Sequence, residues 1–103
     1  MKFLVIEKLR GSAMPPEPVE FSKQASDDLK YKVQLEKKSK IVAGGPFLDT
    51  LGVSYILDVD TIEELGEILF NSPSNFAVDR EVHPLGTFTD TLQGINELGR
   101  KGR

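Results

Sequence analysis

IVAGGPFLDTLGVSYILDVDTIEELGEILFNSPSNFAVDREVHPL, residues 41–85, decides the fold. Lys40 to Ala43 is a short apolar strand, ended by Gly44-Gly45-Pro46, a flexible pair followed by a fixed φ. Phe47 to Gly52 is then a loop tip, and Val53 to Val59 a strand of aliphatic and aromatic residues. That strand runs into Asp60-Thr61-Ile62-Glu63-Glu64, where Asp60 with Glu63 or Thr61 with Glu64 can form a capping box, so a helix starts there. Ile62, Leu65 and Leu69 make its core stripe, Gly66 within the stripe allows close approach to a sheet, and Asn71-Ser72-Pro73 stops it. Ala77 to Leu85 is a further strand, with Pro84 marking its end or an edge position.

Working outward, Lys2 to Leu9 reads as an opening strand, and Gly11 to Pro18, with three prolines, as a loop. From Val19 to Lys38, Phe21, Ala25, Leu29 and Val33 recur every fourth residue with Tyr31 and Leu35 beside them, while Asp27, Asp28, Lys30, Lys32 and Glu36 cover much of the rest. This predicts an amphipathic helix with one face on the sheet. The order βαββαβ is the ferredoxin-like α+β pattern, a four-stranded antiparallel sheet with two helices on one face, occupying residues 1–88. Residues 89–103 form a C-terminal helical tail: Leu92, Ile95 and Leu98 have helical spacing, weakened by Gly94 and Gly99, and the tail is placed to extend over a partner subunit. The uncovered sheet face predicts pairing with a second copy, as a homodimer or higher even-numbered assembly.

The 103-residue chain is long enough for one domain with a real core. Its net charge of -3 argues against a nucleic-acid partner, which clustered Lys and Arg in excess would grip. The basic groups Lys37, Lys38, Lys40 and Arg100, Lys101, Arg103 fall at a helix end and the chain end, where solvated roles suffice. With no cysteine, disulfides and thiolate chemistry are excluded. No apolar run approaches the ~20 residues of a membrane span, and KFLVI is too short for a signal-peptide core, so a cytoplasmic protein with no membrane partner is expected. A single histidine makes a zinc site improbable, and no P-loop or G-x-G-x-x-G run points to a nucleotide, so no metal and no cofactor is expected.

GVSYILDVDTIEELGEILFNSPSNFAVDREVHPL resembles the muconolactone isomerase family, whose members share a strand ending in aspartate, an acidic helix and a final strand rich in acidic residues. The preceding AGGPFLDTLGVSYIL is similar to the YciI-like family of the same dimeric α+β barrel group. These resemblances, over Lys2 to about Leu85, imply two ferredoxin-like sheets paired face to face into a barrel, with a pocket for a small molecule. YciI-like proteins are associated with a His and Asp pair. Asp49 matches the aspartate that follows the GP turn, while the first helix offers no histidine to match its partner.

His83 is the only side chain whose ordinary pKa lies near neutrality, and strand alternation sets it with Ala77, Asp79, Glu81 and Leu85. If that face lines a cavity, His83 moves a proton while Glu81 or Asp79 orients it; if the face is solvated, His83 is a polar strand residue. Glu7 is the polar member of a face with Phe3, Val5 and Leu9, where apolar neighbours suit a carboxylate to acid or base work; near the strand end it could instead reach water, Lys8 or Arg10. Tyr55 could donate to an enolate oxygen or sit in the core with its hydroxyl satisfied. Asp49 is a substrate-contact candidate with a turn-stabilising alternative, and Asp58 lies where a helix start favours an acid on electrostatic grounds alone.

The expected activity is a cofactor-independent isomerisation of a small lactone or cyclic carbonyl compound. Glu7 and His83 would exchange the proton, Tyr55 would stabilise the enolate, and Asp49 and Glu81 would contact the substrate. The rival readings are a non-catalytic dimer that binds a small ligand or another protein, and a cofactor-free monooxygenase of the same superfamily.

Overall fold

The computed structural model describes residues 1–102. Its elements follow in the order β1 (Lys2–Leu9), a short 3-10 turn (Gly11–Ala13), α1 (Pro18–Lys37), β2 (Ile41–Pro46), β3 (Gly52–Asp58), α2 (Ile62–Phe70), β4 (Val78–Leu85) and α3 (Phe88–Lys101). The strands form one four-stranded sheet in the order β2-β3-β1-β4, every neighbouring pair antiparallel. This is the ferredoxin-like α+β arrangement, with β1 central and β2 and β4 at the edges.

Alternation along β1 puts Phe3, Val5 and Glu7 on the face covered by the helices, opposite Leu57, Tyr55 and Val53 of β3 and Pro84, Val82 and Arg80 of β4. The core is Phe3, Val5, Tyr55, Leu57 and Val59 from the sheet side with Leu35 of α1, Ile41 of β2 and Leu65 of α2. Tyr31 on α1 donates its hydroxyl to the Ile68 carbonyl on α2 at 2.7 Å, which fixes one helix against the other. Of the two possible capping boxes at α2, the protein uses Thr61 with Glu64. The Thr61 hydroxyl accepts from the Glu64 backbone N–H at 3.1 Å, and the Glu64 carboxylate reaches back to the Asp60 N–H at 3.0 Å.

β2 runs on through both glycines to Pro46, and a register shift between Ile41 and Ala43 leaves Val42 without a partner on β3. Gly44 has φ +124°, and a Cβ there would stand 2.3 Å from the Ser54 carbonyl oxygen. The strand survives that crossing because the position is glycine. Gly66 does not approach the sheet; its α2 position is exposed, and nothing lies within 4 Å of where its Cβ would be.

α1 is rotated from the expected orientation. Leu29 and Val33 are 46% and 43% exposed, whereas Lys32 and Leu35 are buried. The residues turned inward are Asp28, Tyr31, Lys32 and Leu35, a face at spacing i, i+3, i+4 and i+7. Polar partners on the sheet decide the rotation, because Lys32 lies over Glu7, and an apolar stripe seated there would leave the buried Oε1 of that carboxylate without its cationic partner. The apolar stripe is left half-covered on the flank of α1. On the other sheet face Leu4, Ile6 and Ile56 are only partly covered, and no helix lies over them. Among the described residues, no helix is long and apolar enough to cross a membrane.

Candidate active site

The buried face of the sheet carries a carboxylate at its centre. Glu7 is 1% exposed, flanked in register by Arg80 on β4 and Val53 on β3. Three groups converge on it: the Tyr55 hydroxyl donates to Oε2 at 2.9 Å, Arg80 Nε donates to the same oxygen at 2.8 Å, and Lys32 Nζ lies 3.0 Å from Oε1. The Lys32 ammonium also lies 5.5 Å from the centre of the Tyr55 ring.

Lys32 is held from behind by Asp28, one helical turn earlier, at 2.7 Å. The Asp28 carboxylate is in turn fixed by the hydroxyls of Ser74 at 2.8 Å and Ser72 at 3.1 Å, both on the loop between α2 and β4. Asn75 from that loop accepts from Arg80 Nη1 at 2.7 Å. Two cations and two anions therefore balance inside the fold. Removing charges from water costs several kcal/mol each unless partners replace the hydration, so these groups form one unit.

The electrostatics follow from that geometry. Burial pushes the Tyr55 phenol well above its ordinary value, and the Glu7 charge and hydrogen bond push it in the same direction, so the hydroxyl remains a donor. Burial works against the Asp28 charge but is outweighed by the hydrogen bond and charge of Lys32 and by the two serine hydroxyls, which hold the carboxyl below its ordinary value. One donor, Arg80 Nη2, is buried with no hydrogen-bond partner among the described residues.

A cavity of about 210 Å³ opens beside the cluster between α1 and the loops at the Leu9 end of the sheet. Its walls are apolar, built from Leu9, Phe21, Leu29, Phe47, Leu51 and Val53, while Glu7, Asp28 and Ser74 supply polar groups. A second cavity of about 210 Å³ reaches Lys32 and Tyr55 from the β2 side and shares Leu29, Pro46 and Val53 with the first. The carboxylate can thus be approached from one side and its cation and phenol from the other.

The residues singled out from the sequence divide between places. Glu7 and Tyr55 meet. His83 lies on the opposite face of the sheet, exposed, with Nε2 3.2 Å from Glu81 Oε2. A proton exchange between Glu7 and His83 is therefore corrected: β4 pairs residue for residue with β1, so Arg80 faces Glu7, and alternation sends Glu81 and His83 to the other side. Asp49 is exposed in the β2–β3 loop, Asp79 lies 3.9 Å from Arg10, and Asp58 lies 3.5 Å from the N-terminal ammonium. Asp28, Lys32 and Arg80 were missed. The signal for the helix pair was present as an acid and a base four residues apart on the face that also carries Tyr31 and Leu35. No cluster of three or more His, Asp or Glu residues able to hold a metal ion occurs among the described residues.

Comparison with solved structures finds the same architecture in muconolactone isomerase, with TM-score 0.71 and 19% identity over 84% of this chain and 90% of the other. The fold is that of muconolactone isomerase. 5-Chloro-2-hydroxyhydroquinone dehydrochlorinase (TftG) from Burkholderia phenoliruptrix AC1100, solved in complex with 2,5-dihydroxybenzoquinone, matches with TM-score 0.64 and 24% identity over 87% of this chain and 98% of that one. No protein-family model and no curated protein matches the chain.

Proposed function

We propose that this protein is an enzyme that removes a proton beside the carbonyl of a small lactone or cyclic carbonyl compound, using no cofactor. The observation that carries this reading is a fully buried carboxylate, Glu7, at an apolar cavity with a phenol donor at 2.9 Å and an ammonium at 3.0 Å. A buried carboxylate that borders the cavity is placed to accept a proton from carbon, and a phenol that stays protonated is suited to stabilise the oxygen that becomes negative.

In the first step the substrate C–H bond breaks, its proton passes to Glu7, and its electron pair moves through the carbonyl to give an enolate. Tyr55 donates to the enolate oxygen, and Lys32 supplies compensating positive charge. Return of the proton from Glu7 to a different carbon of the conjugated system completes a double-bond isomerisation. Where the substrate carries a leaving group placed to depart from the same enolate, the electron pair expels it instead. The dehydrochlorinase activity named for the structural neighbour TftG is of that second outcome. The roles assigned from the sequence to Asp49 and Glu81 receive no geometric support: Glu81 is exposed on the opposite sheet face, and Asp49 is exposed and does not itself line the Glu7 cavity, although its loop neighbours Phe47, Thr50 and Leu51 do. Self-association through the sheet face of Leu4, Ile6 and Ile56 belongs to the same proposal, because pairing would cover apolar surface that the helices leave open.

The test is a panel of unsaturated lactones and cyclic enones, with and without a leaving group, followed by ultraviolet absorbance. Turnover of at least one member by the wild type is expected. Ligand binding without turnover across the panel would favour a non-catalytic binding protein, and oxygen uptake with electron-rich aromatic substrates would favour the monooxygenase reading.

A further inference from the structure

The cavity beside Glu7 carries charge of one sign. Its charged lining groups are the carboxylates of Glu7 and Asp28, and among the described residues no Lys, Arg or His lines it. Lys32, which pairs with both carboxylates, lines the second cavity instead, and Arg80 lines neither. A molecule seated between Phe21, Phe47 and Leu51 therefore borders the anionic members of the buried cluster and not its cations.

The hydrogen-bond donors of the walls are largely committed. The Ser74 hydroxyl donates to Asp28 at 2.8 Å, which leaves it only lone pairs to offer. The Leu9 N–H donates to the Leu51 carbonyl at 3.1 Å, the Phe47 N–H to the Gly52 carbonyl at 2.9 Å, and the Ala77 N–H to the Ser74 carbonyl at 2.8 Å. Gln24 and Thr50, the further side-chain donors of the lining, are not buried. An anion that leaves water needs cations and donors in place of its hydration, and apolar walls with carboxylates beside them supply neither. An uncharged ring needs only apolar surface, which Leu9, Phe21, Leu29 and Phe47 provide. Asp28 contributes to this selection at neutral pH. Burial opposes its charge, but Lys32 and the two serine hydroxyls hold its carboxyl below the ordinary value, so it stays ionised.

We propose that the substrate of this cavity is an uncharged ring carbonyl compound, with side chains that end in hydrocarbon, ester or amide and not in carboxylate or phosphate, and that Asp28 is the specificity-determining residue that turns acids away. The inference rests on the reading of the Glu7 cavity as the substrate site. Glu7 must be ionised to accept a proton, so its charge serves the reaction as well as the selection. Asp28 accepts no proton in the proposed reaction, and its charge can be removed while Glu7 is kept. Losing it would leave Lys32 with Glu7 as its one buried carboxylate partner and lower the barrier to an incoming anion.

The test compares two butenolides of matched size, one with a side-chain carboxylate and one with the corresponding primary amide, by ligand-observed NMR titration of the full chain at pH 7. Binding is read without turnover. The wild type should hold the amide at least about tenfold more tightly than the acid, the discrimination expected when a carboxylate finds no cation in an apolar cavity. Asp28→Asn keeps the size of the side chain and removes its charge, and it should narrow that ratio at least about threefold. The wild-type ratio decides the substrate class whether or not the variant folds. Acid bound as tightly as amide by the wild type overturns the proposal and leaves the proton-transfer reading standing. An unchanged ratio in Asp28→Asn with native circular dichroism overturns the role of Asp28. Binding of neither compound overturns the proposal together with the reading of the cavity as a lactone site.

Discussion

The hydroxyl of Tyr55 donates to the carboxylate of Glu7 at 2.9 Å, across the boundary between β3 and β1. The bond joins the two groups most concerned with the proposed proton transfer, and both are buried, each at the edge of a cavity. Tyr55→Phe keeps the ring and removes the donor. A rate loss of about 10²- to 10³-fold is expected, as for removal of one donor to a developing oxyanion. The accompanying stability loss should be near 0.5–1.5 kcal/mol, the net value of a hydrogen bond. Kinetics beside urea unfolding separate the two effects.

Both tyrosines are held protonated in the native state. Burial raises Tyr31, with the Asp28 charge adding to it, and burial followed by the Glu7 charge raises Tyr55. A raised native pKa gives stability that is fully present below the unfolded value, near 10, and is lost as pH rises through the native values. Absorbance near 295 nm, the phenolate band, should place the tyrosine titration of the folded protein above pH ~10, and return it to about pH 10 for both residues once denaturant unfolds it.

Asp28 contributes on the acid side. Its lowered native pKa gives stability that is present above the unfolded value of 3.8 and is lost as pH falls through the native value. Asp28→Asn should flatten that acid limb of the stability curve. It should also loosen Lys32, which Asp28 holds at 2.7 Å. Unfolding midpoints measured from pH 7 downward for both proteins check the sign.

His83→Ala should leave turnover unchanged and shift stability by no more than about 0.5 kcal/mol, the usual range for an exposed site. His83 has an exposed ion-pair partner in Glu81 and lies across the sheet from Glu7. A large loss of kcat on this substitution would put the reacting groups on the wrong face.

Gly44→Ala should destabilise the protein by about 1–3 kcal/mol or more, because a Cβ at φ +124° would meet the Ser54 carbonyl at 2.3 Å. Denaturant midpoints measure it directly.

The sheet and its helices were legible because local chemistry marks boundaries such as Thr61 with Glu64 at the start of α2 and Pro73 beyond its end, whereas the glycine pair and Pro46, read as the end of β2, lie within it. The polar half of the site was less legible. The Phe21, Ala25, Leu29, Val33 periodicity on α1 is strong, yet the buried charge of Glu7 outranks it and turns Asp28 and Lys32 inward. Arg80 was hidden for a related reason. Alternation in β4 offers two faces, one with Asp79, Glu81 and His83 and the other with Val78, Arg80 and Val82, and only the register with β1 selects between them. A lone histidine drew attention to the solvated face. Glu7 stood out because it is the one acid in an apolar strand, but the sequence left open whether it lay among apolar groups or reached water near the strand end, and only the packing of α1 and β4 over it makes it buried.

The most direct measurement of the central claim is deuterium uptake from D2O into a lactone or cyclic enone at the position beside its carbonyl, followed by proton NMR for wild type and Glu7→Gln. Glutamine keeps the size of the side chain and removes its capacity to accept the proton. Catalysed exchange by the wild type, reduced by at least about 10²-fold in Glu7→Gln with native circular dichroism retained, is the predicted result. Equal exchange by the two folded proteins would contradict the assignment of Glu7 as the base.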